Sequence, residues 1–470
     1  MKLKIWICVC FAVLTIFAGG CQSYEPSPLR IDSYRASLES RVLETEQLSA
    51  FVDRLDSMSD NISTQFDLSD GISPYEGEVL ALVYNPDLRI ARLEAGVALA
   101  EFNTAGLWQD PVLGYDGANI SSPSAPYEFS LMGNLTIPIS GRLKVEKERA
   151  GAVYESQLRA VVDAQWQTRA EVRLQWAEWA SANARVSLYH DFIEQLERIN
   201  AIGNTLVEAG ELNRVQHRLL QVELSSKLAE ATEIELYVLQ SKFKLLGLLG
   251  LSPTTASMLS PVFPNITIPQ IEDETARLIE SNTTLAVRIA EYQTAEDSLH
   301  LEIKKQFPDI VLSGGYGSES NDSRFLFGVS LPLPVINANR AGISKASAAR
   351  EVARAKAETT FAKLNVELAT ATITLELKQS QRNYYEQTIV PMLANQTHDI
   401  ERIVELGEVD TFILLETITR QFHAKEQLLE LQLAELEAAI DLTRPFGPNS
   451  ALSPTRIHHI TNENTTGGVQ

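Results

Sequence analysis

Apolar residues recur every three or four positions in two segments that follow glycines at positions 210 and 407. The first stripe contains Leu212, Val215, Leu219, Val222, Ser226 and Ala229, and the second contains Phe412, Leu415, Thr419, Phe422, Glu426, Leu429, Leu433, Leu436 and Ile440. A matching stripe precedes the first glycine, at Tyr189, Phe192, Leu196, Ile199, Gly203 and Leu206. This spacing predicts antiparallel helices packed along heptad seams.

The helix that leads to Gly210 is expected to be very long. No proline occurs from Arg142 to Leu206, so one continuous helix would extend for about 100 Å at ~1.5 Å per residue. Its counterpart before Gly407 contains Pro391, where we expect a kink or a local break.

Four shorter runs alternate between apolar and polar residues. The clearest are 127–137 and 324–333, and their partners include Leu113, Tyr115, Ile310 and Leu312. Each run is close to the roughly 9–11 residues that a tilted strand needs to cross a bilayer, although a half-buried soluble sheet would alternate in the same way. A transmembrane barrel needs about eight strands at least. A membrane location would therefore require several chains, of which two give eight strands and three give twelve.

The chain contains a tandem duplication. NPDLRIARLEA at 85 is followed 197 positions later by NTTLAVRIAEY, and the same offset relates PVLGYDG at 111 to PDIVLSGGYG at 308 and Gly210 to Gly407. Such regular spacing is typical of a repeated structural unit. The predicted segments are a signal peptide at 1–20, an N-terminal segment at 21–75, repeats at 76–270 and 271–445, and a disordered tail at 446–470.

The N-terminus has the composition of a secretory signal peptide. A basic start precedes a thirteen-residue apolar run, Ile5–Phe17, which is too short to span a membrane as a helix of about 20 residues. Ala18, Gly19 and Gly20 then precede Cys21. These residues resemble the bacterial lipoprotein box, with Ala18 where that box prefers Leu, and predict acylation of Cys21. An ordinary signal peptide or an uncleaved anchor are the alternatives.

Charge and residue usage exclude several other functions. A net charge of −21 disfavours nucleic acid and an anionic lipid surface as partners. All three cysteines fall within the first 21 residues, so a chain acylated at Cys21 has no thiol for a disulfide or a metal. The sequence has no catalytic motif of the common hydrolase, zinc or phosphate-binding types. His458 and His459 lie in the polar tail and are not expected to bind metal; no cofactor is predicted.

The order of helix, hairpin and long helical hairpin, repeated twice, resembles the TolC-type outer-membrane efflux proteins. The resemblance covers roughly 76–445 and includes the two glycine turns and VSLPLPVINANRAGI at 329–343. The last motif is closest to the branch that serves cobalt–zinc–cadmium and copper–silver exporters. The family fold is mainly α with a small β part: a trimer with a twelve-stranded β-barrel in the outer membrane and a periplasmic α-helical barrel.

The resemblance also implies function and partners. The protein would be the outer-membrane channel of a tripartite efflux system, exporting heavy-metal cations or drugs. Its partners would be two further copies of itself, a periplasmic adaptor (membrane fusion protein), an inner-membrane pump of the resistance-nodulation-division class and outer-membrane lipid. The alternative is a lipid-anchored periplasmic coiled-coil scaffold or adaptor without a pore.

Two groups of site residues follow from the resemblance. The turns would form the periplasmic tip that meets the adaptor, through Gly210, Gly407, Glu208, Glu211, Glu405 and Glu408. Family channels are constricted by carboxylates about six and nine residues beyond the second turn glycine. Glu416 occupies the ninth position, but Ile413 occupies the sixth, with Asp410 and Glu405 as substitutes nearer the turn. Glu416 as an ordinary solvated residue is the competing interpretation.

Overall fold

The computed structural model describes residues 23–41, 48, 66, 68–119, 121, 127–268, 273–319, 322–405 and 411–447. Cys21 and the histidines at 458 and 459 lie outside these residues. The chain divides into two compact units, 1–42 and 43–470. The described part of the first unit contains one helix, α1 (Ile31–Glu39), with no buried residue.

The second unit carries the duplicated architecture. The first repeat contains α2 (Pro74–Tyr84), α3 (Pro86–Thr104), β1 (Val112–Asn119), β2 (Tyr127–Ile137), α4 (Arg142–Ala209) and α5 (Arg214–Leu249). The second contains α6 (Glu274–Ser281), α7 (Thr283–Lys304), β3 (Ile310–Glu319), β4 (Asp322–Ser330), α8 (Arg340–Tyr384), a π-helical turn (Tyr385–Ile389), α9 (Val390–Glu405) and α10 (Thr411–Thr443). The predicted order of elements is confirmed.

An asparagine at equivalent positions of the two repeats links the start of each repeat to its end. The Asn85 side chain caps α3 by accepting from the backbone N–H groups of Asp87 and Leu88, and its amide nitrogen donates to the Leu248 carbonyl at 2.8 Å. Asn282 caps α7 and donates to the Pro445 carbonyl, also at 2.8 Å. One side chain therefore satisfies a helix start, where N–H groups lack partners, and ties it to the end of its own repeat.

The four strands form one antiparallel sheet in the order β1-β2-β3-β4. Tyr115 pairs with Leu131, Leu131 with Tyr316, and Tyr316 with Phe325. Because directly paired residues share a face of the sheet, these four side chains form one apolar row across all strands. The predicted alternation is therefore confirmed, with Asn134 and Ser313 hydrogen-bonded to each other on the opposite face at 2.7 Å.

The two outgoing helical segments differ in continuity. Helix α4 runs through 68 residues without interruption, as predicted. Its counterpart departs from α-helical geometry at the π-helical turn 385–389, just before Pro391, where the sequence predicts a break. No helix in the described parts of the chain is long and apolar enough to cross a membrane.

Leu212, the first residue of the predicted seam, is buried as predicted, but within α5 the seam is wrong in its register. Val215, Leu219 and Val222 are 70%, 55% and 65% exposed. The residues that α5 buries lie one or two positions away and include Leu220 and Ala231, which pack in a cluster with Phe192, Leu196 and Ile199 of α4. The spacing of apolar residues identifies which residues share a helix face, but not which element packs against that face. In this protein the most apolar face of α5 points away from α4.

Candidate gate and docking site

The first helical hairpin turns sharply at Gly210. This residue has φ +80° and ψ 10°, in the left-handed region that favours glycine. The N–H groups of Glu211 and Leu212 donate back to the Leu206 carbonyl at 2.9 and 3.1 Å, and Asn213 caps the start of α5. The predicted left-handed turn is therefore present in the structure.

The surroundings of Gly210 are open. A Cβ atom placed on Gly210 would have no neighbour within 4 Å, so the backbone angle rather than space requires glycine here. The carboxylate-bearing residues Glu208 and Glu211 flank it and are both exposed. This end of the hairpin thus presents an acidic, sterically accessible surface.

The second turn is described only at its two ends. Helix α9 ends at Glu405 and α10 begins at Thr411. Gly407, Glu408 and Asp410, together with the side chain of Glu405, lie outside the described residues. The start of α10 is firmly packed, since Thr411 is buried and Leu414 joins the cluster formed by α4 and α5.

The candidate gate residues lie on one exposed face of α10. Ile413 is 54% exposed and the Glu416 side chain 61% exposed. One turn further along, Arg420 Nε donates to Glu416 Oε1 at 2.6 Å. This i,i+4 pair is visible in the sequence as a spacing, and it means that each Glu416 carries its own counter-ion.

A polar network joins α4, α5 and α10 within the same apolar cluster. Tyr189 Oη donates to Glu426 at 3.1 Å and to Glu230 at 3.2 Å. Arg185 pairs with Glu426, and Lys227 pairs with Glu230, each at 2.8 Å. These contacts tie the first hairpin to the returning helix of the second.

Burial and charge shift the ionisation of this network. Burial, followed by the charges and hydrogen bonds of Glu426 and Glu230, raises the pKa of Tyr189, so its hydroxyl stays a donor. Burial raises the pKa of Glu230, but hydrogen bonding and the charge of Lys227 outweigh that effect and lower it overall. The Glu230 carboxylate therefore remains an acceptor.

Sequence reasoning placed Tyr189 and Glu426 in the helical seams without assigning them this role. The available signal was a charged residue at a heptad position whose neighbours are apolar, since a buried charge must be paired. Its partners were not deducible, because they lie 41 and 237 residues from Tyr189. In the part of the chain that the structure describes, no group of three or more His, Cys, Asp or Glu side chains is arranged to hold a metal ion.

Comparison with known proteins gives consistent results. Residues 276–447 match the family of outer membrane efflux proteins. The chain is 22% identical, over 322 residues, to the cobalt-zinc-cadmium resistance protein CzcC of Cupriavidus metallidurans, covering 67% of this chain and 76% of CzcC.

The fold is shared with solved outer-membrane proteins. The Campylobacter jejuni CmeC outer membrane channel superposes with a TM-score of 0.72 at 12% identity, over 94% of this chain and 98% of CmeC. CusC superposes at 0.68 and 16% identity, over 91% of this chain and all of CusC. The family match in the second repeat, the curated relative and the duplicated fold agree in their similarity to outer membrane efflux proteins.

Proposed function

We propose that this protein is the outer-membrane channel of a tripartite efflux system. The proposal depends on one observation: a four-stranded sheet with one apolar face is joined at one end to long helical hairpins. The 68 residues of α4 extend for about 100 Å. A strand in lipid must have its backbone groups paired. The unpaired outer edges of β1 and β4 therefore require further chains, and three chains would supply the twelve strands of a closed barrel.

Exposed apolar stripes on the helices support assembly of several chains. On α5 the stripe is Val215, Leu219 and Val222, and on α8 Val352, Val366 and Ile373 recur at multiples of seven residues. Apolar heptad positions that nothing covers within the chain are typical of a helix that packs against another copy. In a trimer, each stripe would pack against a helix of a neighbouring copy.

The partners and cargo follow from the family. A periplasmic adaptor would dock at the acidic turn around Gly210 and at the corresponding turn around Gly407. An inner-membrane pump, of the resistance-nodulation-division class, would drive transport through the adaptor. The relationship to CzcC favours heavy-metal cations as cargo, and the excess of carboxylates favours cations in the pore.

A lipid on Cys21 would tether the N-terminal segment to the inner leaflet of the outer membrane. The short apolar run and the small residues before Cys21 support this. Cys21→Ser should abolish incorporation of labelled fatty acid into the protein; labelling that continues at the wild-type level would disprove the assignment.

Conductance across a planar bilayer tests the channel itself. Wild-type protein should form cation-selective pores, and Glu416→Ala should raise conductance and weaken block by multivalent cations. Arg420→Ala is the matched variant: it removes the counter-ion from Glu416 and should strengthen that block.

The possible outcomes separate the hypotheses. Trimers without any conductance would favour the pore-free scaffold. Conductance that neither variant alters would place the constriction away from Glu416, with Ile413 as the next candidate.

A further inference from the structure

All four connections between helices and strands lie at one end of the sheet. The antiparallel register places Val112 opposite Asn134, Ile137 opposite Ile310, and Val311 opposite Ser330. The segments 105–111, 138–141, 305–309 and 331–339, which connect these strands to α3, α4, α7 and α8, therefore meet at the same edge. We call this set of connections and the adjoining helix ends the collar.

The collar exposes large apolar side chains. These are Leu107, Trp108, Ile139, Phe307, Leu331, Leu333, Val335 and Ile336. On β4 the alternation of Phe327 and Val329 continues through Leu331 and Leu333 beyond the end of the strand. The exposed apolar surface of the collar is thus continuous with the proposed membrane face of the sheet.

The collar is basic in a strongly acidic protein. The segments 105–111, 138–149, 303–309 and 331–350 contain nine Lys and Arg residues and four Asp and Glu residues, whereas the whole chain contains 40 and 61. The local charge is therefore opposite in sign to that of the protein. A surface of this kind attracts anions although the molecule as a whole repels them.

Several of these cations have no carboxylate partner among the residues that the structure describes. Lys304, Arg340 and Lys345 form no ion pair within 4 Å with any acidic residue that the structure describes. Other collar cations are engaged: Arg142 pairs with Asp309 at 2.8 Å and Lys305 with Glu302 at 2.6 Å. The charges of Lys304, Arg340 and Lys345 are thus available to a ligand.

An open groove lies beside Arg340. It has a volume of about 680 Å³ and is lined by Arg340, Ile343, Ser344 and Ser347 among others. Glu351 also lines the groove and is paired with Arg350 at 2.8 Å, which offsets its charge. The groove thus combines a guanidinium, two hydroxyls and apolar surface, the groups that a phosphate diester attached to acyl chains would contact.

We propose that the collar binds anionic phospholipid in the periplasmic leaflet of the outer membrane, with Lys304, Arg340 and Lys345 holding headgroup phosphates. The apolar side chains, including Trp108, would lie at the level of the acyl chains and glycerol, where Trp is favoured. Lys and Arg stems reach from such a level to the charged headgroups, and basic residues next to a membrane are attracted to anionic lipid. This inference rests on the proposed membrane location of the sheet.

Trp108 fluorescence provides the test. The full-length protein is reconstituted into vesicles of phosphatidylcholine and phosphatidylglycerol in which only one of the two lipids is brominated, because bromine quenches a nearby indole. Subtracting the signal of Trp108→Phe isolates Trp108 from the tryptophans of the helical region. Brominated phosphatidylglycerol should quench Trp108 more strongly than an equal mole fraction of brominated phosphatidylcholine, and added salt should reduce the difference.

The combined variant Lys304→Gln, Arg340→Gln and Lys345→Gln should lower this preference to a ratio of about one, as expected without attraction between charges. The matched control neutralises three basic residues near the Gly210 turn, Arg198→Gln, Arg214→Gln and Arg218→Gln, and should retain the preference. Equal quenching by both lipids in a conducting wild-type protein would overturn the collar proposal and leave the channel intact.

Two further outcomes count against the proposal. If neither lipid quenches Trp108 and the protein does not conduct, the sheet does not lie in the membrane. A collar variant that conducts normally when assembled but no longer forms trimers would show that the groove is covered by a second copy, not by lipid.

Discussion

The two helical hairpins derive from one repeated sequence but have different backbones. At position 194 of the first repeat α4 continues as an ordinary helix, whereas the corresponding position of the second repeat is Pro391. Proline has no N–H and its ring clashes with the carbonyl four residues earlier. The second hairpin accommodates it with the π-helical turn 385–389, and such turns are recognised causes of helix bending.

Arg382 forms two ion pairs beside the π-helical turn. Arg382 contacts Glu435 on α10 and Glu386 within the turn, each at 2.7 Å. The π-helical turn is therefore fixed to the returning helix at one place, while the first hairpin has a regular backbone throughout. The duplicated halves therefore need not deform together, because the second hairpin has a point of bending at the π-helical turn and the first hairpin has none.

Introducing the same proline into the first hairpin should have the largest effect. Glu194 is exposed, so Glu194→Pro changes mainly the backbone and should cost about 3 kcal/mol or more of stability. A lower melting temperature of the trimer in detergent would measure this. Glu194→Ala is the control and should change stability by no more than about 0.5 kcal/mol. A proline tolerated without loss would mean that α4 bends as readily as its counterpart.

The turn at Gly210 gives an intermediate effect. Gly210→Leu forces a side chain into left-handed geometry and should cost about 1–2 kcal/mol, without a clash because the position is open. Gly247 also has open surroundings but an ordinary backbone angle, so Gly247→Leu should not destabilise the protein. Combined with Gly407→Leu, the turn variant should weaken crosslinking to the adaptor while trimers persist. Undiminished crosslinking would show that the turns do not bind the adaptor.

The smallest expected effect concerns a carboxylate between the hairpins. Burial, then the neighbouring charges of Glu178 and Asp441, raise the pKa of Glu437 above its ordinary 4.5. The folded protein thus keeps this proton to a higher pH than the unfolded chain, and ionisation at neutral pH opposes folding.

Glu437→Gln should therefore stabilise the protein at pH 7, by no more than about 0.5 kcal/mol because the group is partly solvated and screened. The gain should shrink as the pH falls through the raised pKa and vanish below about 4.5, where the native Glu437 is also neutral. Melting temperatures of both proteins across this range provide the measurement. A gain that is independent of pH would point to packing and not to charge.

The duplication, the strands and their apolar faces, the length of α4 and the left-handed turn at Gly210 were all predictable from the amino-acid sequence. Each of these depends on local rules: a period of two or 3.5 residues, the absence of proline, or a glycine between two helical stripes. The site at Pro391 was likewise predictable, although its conversion into a π-helical turn was not, because a kink, a break and a widened turn all relieve the same clash.

Which surfaces meet depends on the three-dimensional packing of the helices and was not predictable from the sequence. Helix α5 has two faces able to pack, and burial of Leu220 and Ala231 against α4 leaves the more apolar stripe at Val215 and Leu219 exposed. The network of Tyr189, Glu230 and Glu426 likewise joins residues from three helices. A helical period indicates which residues share a face, but the partner of that face depends on how distant segments of the chain pack together. For the exposed stripes, the partner depends on how separate chains pack.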